Sequence, residues 1–207
     1  MIGYPIKKIR EAFPGLGRTV DGEEAIFFDG PGGSQVPSSV ADAVSRYLLH
    51  QNANTGMDFA TSVETDELIS EALVACADFL GCSNPKEIAF GQNMTSLNIQ
   101  LATALSRTWG HEDEVVVTKL DHDGNVRPWV LAAEWSGAKI RKVEINPDDC
   151  TLDMNSLESC INERTVLVAV GASSNLSGTN NDIKKIVNIC RSYGAEVVID
   201  AVHYAPH

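Results

Sequence analysis

The stretch TVLVAVGASSNLSGTNNDIKKIVNICRSYGAEVVID, residues 165–200, carries the pattern that decides the fold. Apolar, β-branched residues at both ends of this stretch predict two strands. Between them, apolar residues recur at spacings of three and four, which predicts a helix that ends near Gly194. Two strands joined through a helix lie parallel in one sheet, so the stretch predicts a parallel α/β unit.

The same alternation continues towards the N-terminus and predicts an α/β fold, a three-layer, doubly wound, mainly parallel sheet with helices on both faces. The predicted strands are Glu87–Phe90, Glu114–Thr118, Lys139–Ile145, Thr165–Val170 and Glu196–Asp200. The predicted helices are Pro37–Gln51, Ser62–Leu80, Thr95–Trp109, Val126–Ser136, a shorter one around Leu157 and Ile161, and Asp182–Tyr193. Ser62 is the expected N-cap of its helix, with Thr61 and Glu64 as a capping box.

Composition narrows the class of protein. The 207 residues include 28 acidic and 16 basic side chains, for a net charge of −12, and an acidic chain repels nucleic-acid phosphates. The longest apolar run, residues 166–172, is far short of the ~20 residues that a membrane-spanning helix needs. The five cysteines never form a C-x-x-C pair, and no signal peptide is visible. We therefore expect a cytoplasmic protein without a nucleic-acid, membrane or metal partner.

Polar residues follow the predicted strands, at the strand ends where open parallel sheets bind ligands. Residues 91–96 (GQNMTS) lead into a helix, and their free N–H groups and hydroxyls are suited either to a phosphate or to simple helix capping. His122 follows the next strand and is either a ligand-facing or an ordinary surface residue. Residues 172–179 form a further polar loop at a strand end.

Asp200 lies within the apolar run VVIDAV, where a carboxylate is costly to bury unless a cation or several donors meet it. Its partner is either a structural salt bridge or the cationic ring nitrogen of a cofactor. The sequence has no phosphate-binding P-loop, no complete dinucleotide fingerprint and no serine nucleophile elbow. The two features that indicate a function are thus a phosphate site and a buried carboxylate.

These segments, in this order over residues 26–207, resemble the class V family of pyridoxal-phosphate enzymes, which has the fold-type I large domain. The stretches FFDGPGGSQVP (27–37) and IDAVHYAPH (199–207) are most similar to its cysteine desulfurase-like branch, beside the isopenicillin-N epimerase-like proteins. The resemblance implies pyridoxal 5′-phosphate as cofactor, an amino acid as the small-molecule substrate, and a homodimer.

The resemblance also implies a role for eight residues. Met94 and Thr95 would bind the cofactor phosphate, and His122 would stack on the pyridine ring. Asn175 would lie beside the ring, Asp200 would hydrogen-bond the protonated ring nitrogen, and His203 would donate to the 3-oxygen. The last two, Gly32 and Gly33, would lie near the substrate.

The sequence departs from the family pattern in three places. The phosphate loop is Asn-Met-Thr-Ser where many relatives have Gly-Thr-Thr-Glu, and no lysine or cysteine matches the Schiff-base lysine or the desulfurase nucleophile. The chain also stops soon after a buried strand. We therefore expect the N-terminal part of a longer enzyme, inactive alone, with catalytic residues unknown.

Within that interpretation, residues 1–60 are expected to form an N-terminal segment of loops and a helix, and residues 61–207 an incomplete cofactor-binding large domain. Two alternatives stay open. One is a catalytically inactive remnant that binds the cofactor or serves a structural role. The other is an unrelated α/β nucleotide-binding domain.

Overall fold

The computed structural model describes residues 4–207, which separate into two compact units. One unit ends at Ala89, and the other comprises Phe90–His207. The compact division thus falls later than residue 60, because the long helix Ala60–Leu80 and the turn Pro85–Glu87 pack together in the first unit. The assignment of 1–60 and 61–207 as functional domains stays a prediction.

The first unit is mainly helical. Its elements are helix α1 (Ile6–Glu11), the hairpin strands β1 (Thr19–Val20) and β2 (Glu23–Glu24), and helices α2 (Ser38–His50) and α3 (Ala60–Leu80). The hairpin, which was not predicted, turns at Asp21 and Gly22, whose φ angles are 53° and 87°. An Asp-Gly pair suits such a turn because both central residues need positive φ.

The predicted N-cap of α3 is wrong. The helix begins two residues earlier, at Ala60, with Phe59 at the N-cap position. The Ser62 side chain is buried and binds the preceding loop instead, since its Oγ donates to the Asn54 carbonyl at 2.7 Å and accepts from the Met57 N–H at 3.0 Å. A hydroxyl committed to that loop cannot cap its own helix.

The predicted strand Glu87–Phe90 is also wrong. Pro85–Glu87 form a 3₁₀ turn that the Asn84 side chain caps by accepting from the Lys86 N–H at 2.9 Å. The apolar residues that follow are too few to establish a strand, and Phe90 is 56% exposed. Glu87 belongs to this turn, so only three residues of the predicted strand follow it, and none of them lies in a strand.

The second unit contains the expected sheet. Its elements are helix α4 (Met94–Leu105), strand β3 (Glu114–Thr118), helix α5 (Arg127–Ser136), strand β4 (Lys139–Val143), helix α6 (Met154–Cys160), strand β5 (Thr165–Gly171), helix α7 (Ile183–Ser192) and strand β6 (Glu196–Asp200). The four strands are parallel in the order β4-β3-β5-β6. Strand β4 ends at Val143, two residues earlier than predicted, and Ile145 makes only an isolated bridge with Leu152.

Alternate residues of the central strands point to opposite faces of the sheet, and each face has its own core. Val116 and Val168 pack with Leu157 of α6 and Ile186 of α7. On the other face, Val115, Val117, Leu167 and Ala169 pack with side chains of α4 and α5, including the fully buried Trp129. This confirms the three-layer, doubly wound arrangement.

The strand order reverses between β3 and β5. The chain leaves β3 towards β4 through α5 on one face, and leaves β5 towards β6 through α7 on the other face. Because the two connections diverge, they leave a crevice beyond the carboxyl ends of β3 and β5. No helix in residues 4–207 combines the length and apolar character needed to cross a membrane.

Candidate functional site

A small, partly open cleft lies at this reversal point, beyond the carboxyl ends of three adjacent strands. Each strand supplies residues from the loop that follows it. The lining residues are Leu120, Asp121 and His122 after β3, Gly171, Ser173, Ser174, Asn175 and Asn181 in and after β5, and Asp200 and His203 at the end of β6. Four of the six predicted cofactor-binding residues therefore share one cleft.

Asp200 is the last residue of β6 and is paired in register with Gly171 of β5. Its carbonyl accepts a backbone hydrogen bond from Ala172 at 2.8 Å, and its Oδ1 accepts the Val202 N–H at 3.0 Å. Asp200 takes part in none of the ion pairs found within residues 4–207. The carboxylate is half-buried, so a cationic group in the cleft would be a favourable partner.

His122 caps the short turn Asp123–Asn125, because its Nδ1 accepts the Gly124 N–H at 3.0 Å. A neutral imidazole bound in this way carries its proton on Nε2. The rest of the ring is exposed at the mouth of the cleft. His122 is thus both exposed and part of the cleft lining.

The head of α4 lies beside His122. A β-carbon placed on Gly124 would come within 2.6 Å of Thr95 Oγ1, 3.0 Å of His122 Nδ1 and 3.2 Å of Met94 Cε, so these groups converge on one point. Asn93 caps α4 by accepting the Ser96 N–H at 2.9 Å, which confirms the capping alternative for that residue. The first-turn N–H groups of a helix still favour an anion there.

The loop after β5 holds Asn175 in a closed turn. Ser174 is buried, and its Oγ accepts the N–H groups of Leu176 and Ser177, each at 3.3 Å. Asn181 fastens the far end of the loop by donating to the Gly171 carbonyl at 2.7 Å. The amide of Asn175 is therefore presented by a preformed turn rather than by a free loop.

Asp121, which the sequence interpretation did not select, is the main addition to the site. Its Oδ2 accepts a hydrogen bond from the Thr118 hydroxyl, and its Oδ1 accepts one from Asn125 Nδ2 at 3.2 Å. A β-carbon on Gly171 would lie 2.6 Å from Asp121 Oδ1, so any side chain at this position would require the carboxylate to shift. The available signal was a second acidic residue at a strand end, directly before His122.

Burial, and to a smaller extent the charge of Asp200, raise the pKa of Asp121 to about 6. The hydrogen bonds from Thr118 and Asn125 oppose this effect because they favour the ionised carboxylate. The two carboxylates therefore interact across the cleft, and a cation placed near them would relieve their repulsion.

The remaining predicted residues, Gly32 and Gly33, lie in the first unit, in and directly after the 3₁₀ turn Gly30–Gly32. Gly33 has a φ of 151°, which a residue with a side chain rarely adopts. Their role near a substrate stays a prediction.

Comparison with known proteins identifies the family to which the chain belongs. The family described as aminotransferase class-V matches residues 26–207, which is most of the chain. The chain therefore belongs to the class V aminotransferase family, as the sequence predicted.

Individual relatives point to one branch of that family. A probable cysteine desulfurase of Streptomyces coelicolor is 35% identical over 96% of this chain and 49% of its own length. The apo structure of a cysteine desulfurase from Thermococcus onnurineus superposes with a TM-score of 0.87, at 27% identity over 100% of this chain and 50% of that one. Another similar structure is that of a C-DES mutant with glycine linked covalently to its pyridoxal-phosphate cofactor. It has a TM-score of 0.76 at 20% identity, over 92% of this chain and 49% of that one. This likeness shows the fold alone. The chain spans about half the length of the relatives that it matches.

Proposed function

We propose that this chain is the N-terminal, pyridoxal-phosphate-binding part of a class V enzyme that acts on an amino acid. The observation that carries the proposal is the cleft, where the Asp200 carboxylate, which has no ion pair within residues 4–207, lies with His122 and close to the head of α4. Family membership supports the same cofactor. A cysteine desulfurase-type reaction, the homodimer, the cytoplasmic location and a lysine outside this chain that binds the cofactor are finer parts of this proposal.

The residues present offer the chemical groups that this cofactor needs. A phosphate needs N–H and hydroxyl donors, which the first turn of α4 and Thr95 supply. A pyridinium nitrogen needs an anionic acceptor, which Asp200 supplies, and an aromatic ring face needs a flat partner, which His122 supplies. Asn175 and His203 would bind the polar edge of the ring between these points.

When bound, pyridoxal phosphate supplies an electron sink for charge that develops on the α-carbon of an amino acid. The work of this chain is to hold the ring and to keep its nitrogen protonated. Asp200 favours the protonated nitrogen by opposite charge and by a hydrogen bond, which together contribute about 1.5–3 kcal/mol. Because Nδ1 of His122 accepts the Gly124 N–H, Nε2 is the ring nitrogen that would hold or move a proton in the cleft.

The experiment is calorimetric titration of the chain with pyridoxamine 5′-phosphate, which has the ring nitrogen and the phosphate but needs no lysine to bind. A loss of 1.5–3 kcal/mol corresponds to about 10- to 150-fold in affinity, which is the weakening expected for Asp200→Asn. Asp123→Asn removes an exposed carboxylate from a neighbouring turn and serves as the control. Equal affinity of Asp200→Asn and wild type, or tighter binding of ATP than of pyridoxamine phosphate, would count against the proposal.

A further inference from the structure

A chain of buried hydrogen bonds runs beneath the cleft, from the head of α4 to the end of β3. Asn98 of α4 donates through Nδ2 to the Gly124 carbonyl at 3.0 Å and to Asn125 Oδ1 at 3.1 Å. Asn125 donates in turn to Asp121, which also accepts from Thr118. Asn98 and Asn125 are buried, so solvent does not compete for the bonds of Asn98 to Gly124 and Asn125, whereas the bonds to Asp121 are partly buried.

The direction of each bond is fixed by its neighbours. Thr118 Oγ1 already accepts the N–H groups of Leu120 and Asp121, at 3.1 and 3.2 Å, so its single proton is directed to the Asp121 carboxylate. Asn125 Oδ1 accepts from Asn98 and from Trp129 Nε1, which turns its NH₂ group towards Asp121. Asp121 therefore receives two donors whose orientation cannot reverse, which is the environment of an ionised carboxylate.

The charges that face this carboxylate are known from the cleft lining. The other titratable groups that line the cleft are His122 from the β3 loop, Asp200 from β6 and His203 from the turn after β6. No lysine or arginine lines this cleft within residues 4–207. Asp121 thus adds a second negative charge to the cleft, close enough to Asp200 for the two charges to interact.

We propose that Asp121 is a positioning residue that acts through Asp200: held as an anion by Thr118 and Asn125, it makes the cleft select ligands whose ring nitrogen is protonated. The inference rests on the proposed function. It assigns to Asp121 no contact with the reacting atoms, because its oxygens are already bound to Thr118 and Asn125. The effect of Asp121 is electrostatic. It should therefore change the affinity for ligands with a charged ring and leave the affinity for the phosphate group unchanged.

The test compares two ligands that share a phosphate and an aromatic ring. Pyridoxamine 5′-phosphate has a ring nitrogen, and benzyl phosphate has none. At pH 7.5, Asp121→Asn should reduce the ratio of the two affinities about tenfold, which corresponds to one pKa unit of a nearby charge, while benzyl phosphate binding stays unchanged. Lowering the pH to 5.5 should reduce the ratio in the wild type and have less effect in the variant, because burial raises the pKa of Asp121 to about 6.

The outcomes separate the two proposals. If both ligands weaken equally in Asp121→Asn, Asp121 is only structural and the inference is overturned, as it is if neither affinity changes. If the wild type fails to bind pyridoxamine phosphate, the proposed function fails and the inference with it.

A second variant covers the case in which Asp121→Asn does not fold. Thr118→Val keeps the carboxylate but removes its hydroxyl donor, so the pH at which the affinity ratio falls should move upward. Thr118→Ser, which retains the hydroxyl, should match the wild type. A pH profile unchanged in Thr118→Val would overturn the inference.

Discussion

Replacement of Asp121 by asparagine should change how the stability of the fold depends on pH. In the folded chain, burial and the charge of Asp200 raise the pKa of Asp121 from 3.8 to about 6. A carboxyl group with a higher pKa in the folded than in the unfolded chain binds its proton more tightly when folded. Its contribution to stability is therefore complete well below pH 3.8 and is lost as the pH rises through 6.

The magnitude follows from the two pKa values. Each pKa unit corresponds to about 1.36 kcal/mol, so a rise from 3.8 to about 6 corresponds to about 3 kcal/mol. Glu114 acts in the opposite direction, because the hydrogen bond from Arg141 and those from its other partners lower its pKa. Its contribution is common to wild type and variant and cancels in the difference between them.

The assay is urea unfolding of wild type, Asp121→Asn and the exposed control Asp123→Asn at several pH values from 4 to 7.5. The difference in unfolding free energy between wild type and Asp121→Asn should change by about 2.4 kcal/mol over this range, in favour of the wild type at low pH. Wild type and Asp123→Asn should differ by a nearly constant amount. A constant difference between wild type and Asp121→Asn would refute the reasoning, whatever its size.

Three further substitutions test other contacts. Gly171→Ala should lower the free energy of unfolding in urea by about 1–3 kcal/mol, because the new β-carbon would lie 2.6 Å from Asp121 Oδ1. The control is Gly110→Ala, where the space is open. Equal losses of stability in the two variants would contradict the clash. Glu114→Gln should lower the urea midpoint more than the control Glu144→Gln, which changes an exposed carboxylate. It should also reduce the loss of stability in acid, because Arg141, 2.9 Å away, lowers the pKa of Glu114. Trp129→Phe should lower the free energy of unfolding by at least about 1 kcal/mol, because it removes the Nε1 hydrogen bond to Asn125. Trp135 is 64% exposed, so Trp135→Phe should change stability little. A larger loss in Trp135→Phe than in Trp129→Phe would be inconsistent with the buried network.

The parts of the fold that follow from local pattern were predictable. Strands β3 and β6 have the predicted bounds because each is a run of β-branched residues bounded by polar or turn-forming ones. The position of His122, Asn175, Asp200 and His203 around one cleft follows from topology, since the carboxyl ends of neighbouring parallel strands meet at one edge of the sheet.

The parts that depend on tertiary contacts were not predictable in the same way. Ser62 matches the local signature of a helix cap but is used by a loop eight residues earlier in the chain. The importance of Asp121 depends on a bond from Asn125 and on the closeness of Gly171, fifty residues away. Neither spacing nor composition encodes such a contact.

A crystal structure of the chain with pyridoxamine 5′-phosphate would test the proposed cofactor site most directly. We expect the ring nitrogen within hydrogen-bond distance of Asp200, the phosphate at the first turn of α4 beside Thr95, and the ring against His122. A ligand bound outside the cleft, or bound with its phosphate at Asp200, would contradict it.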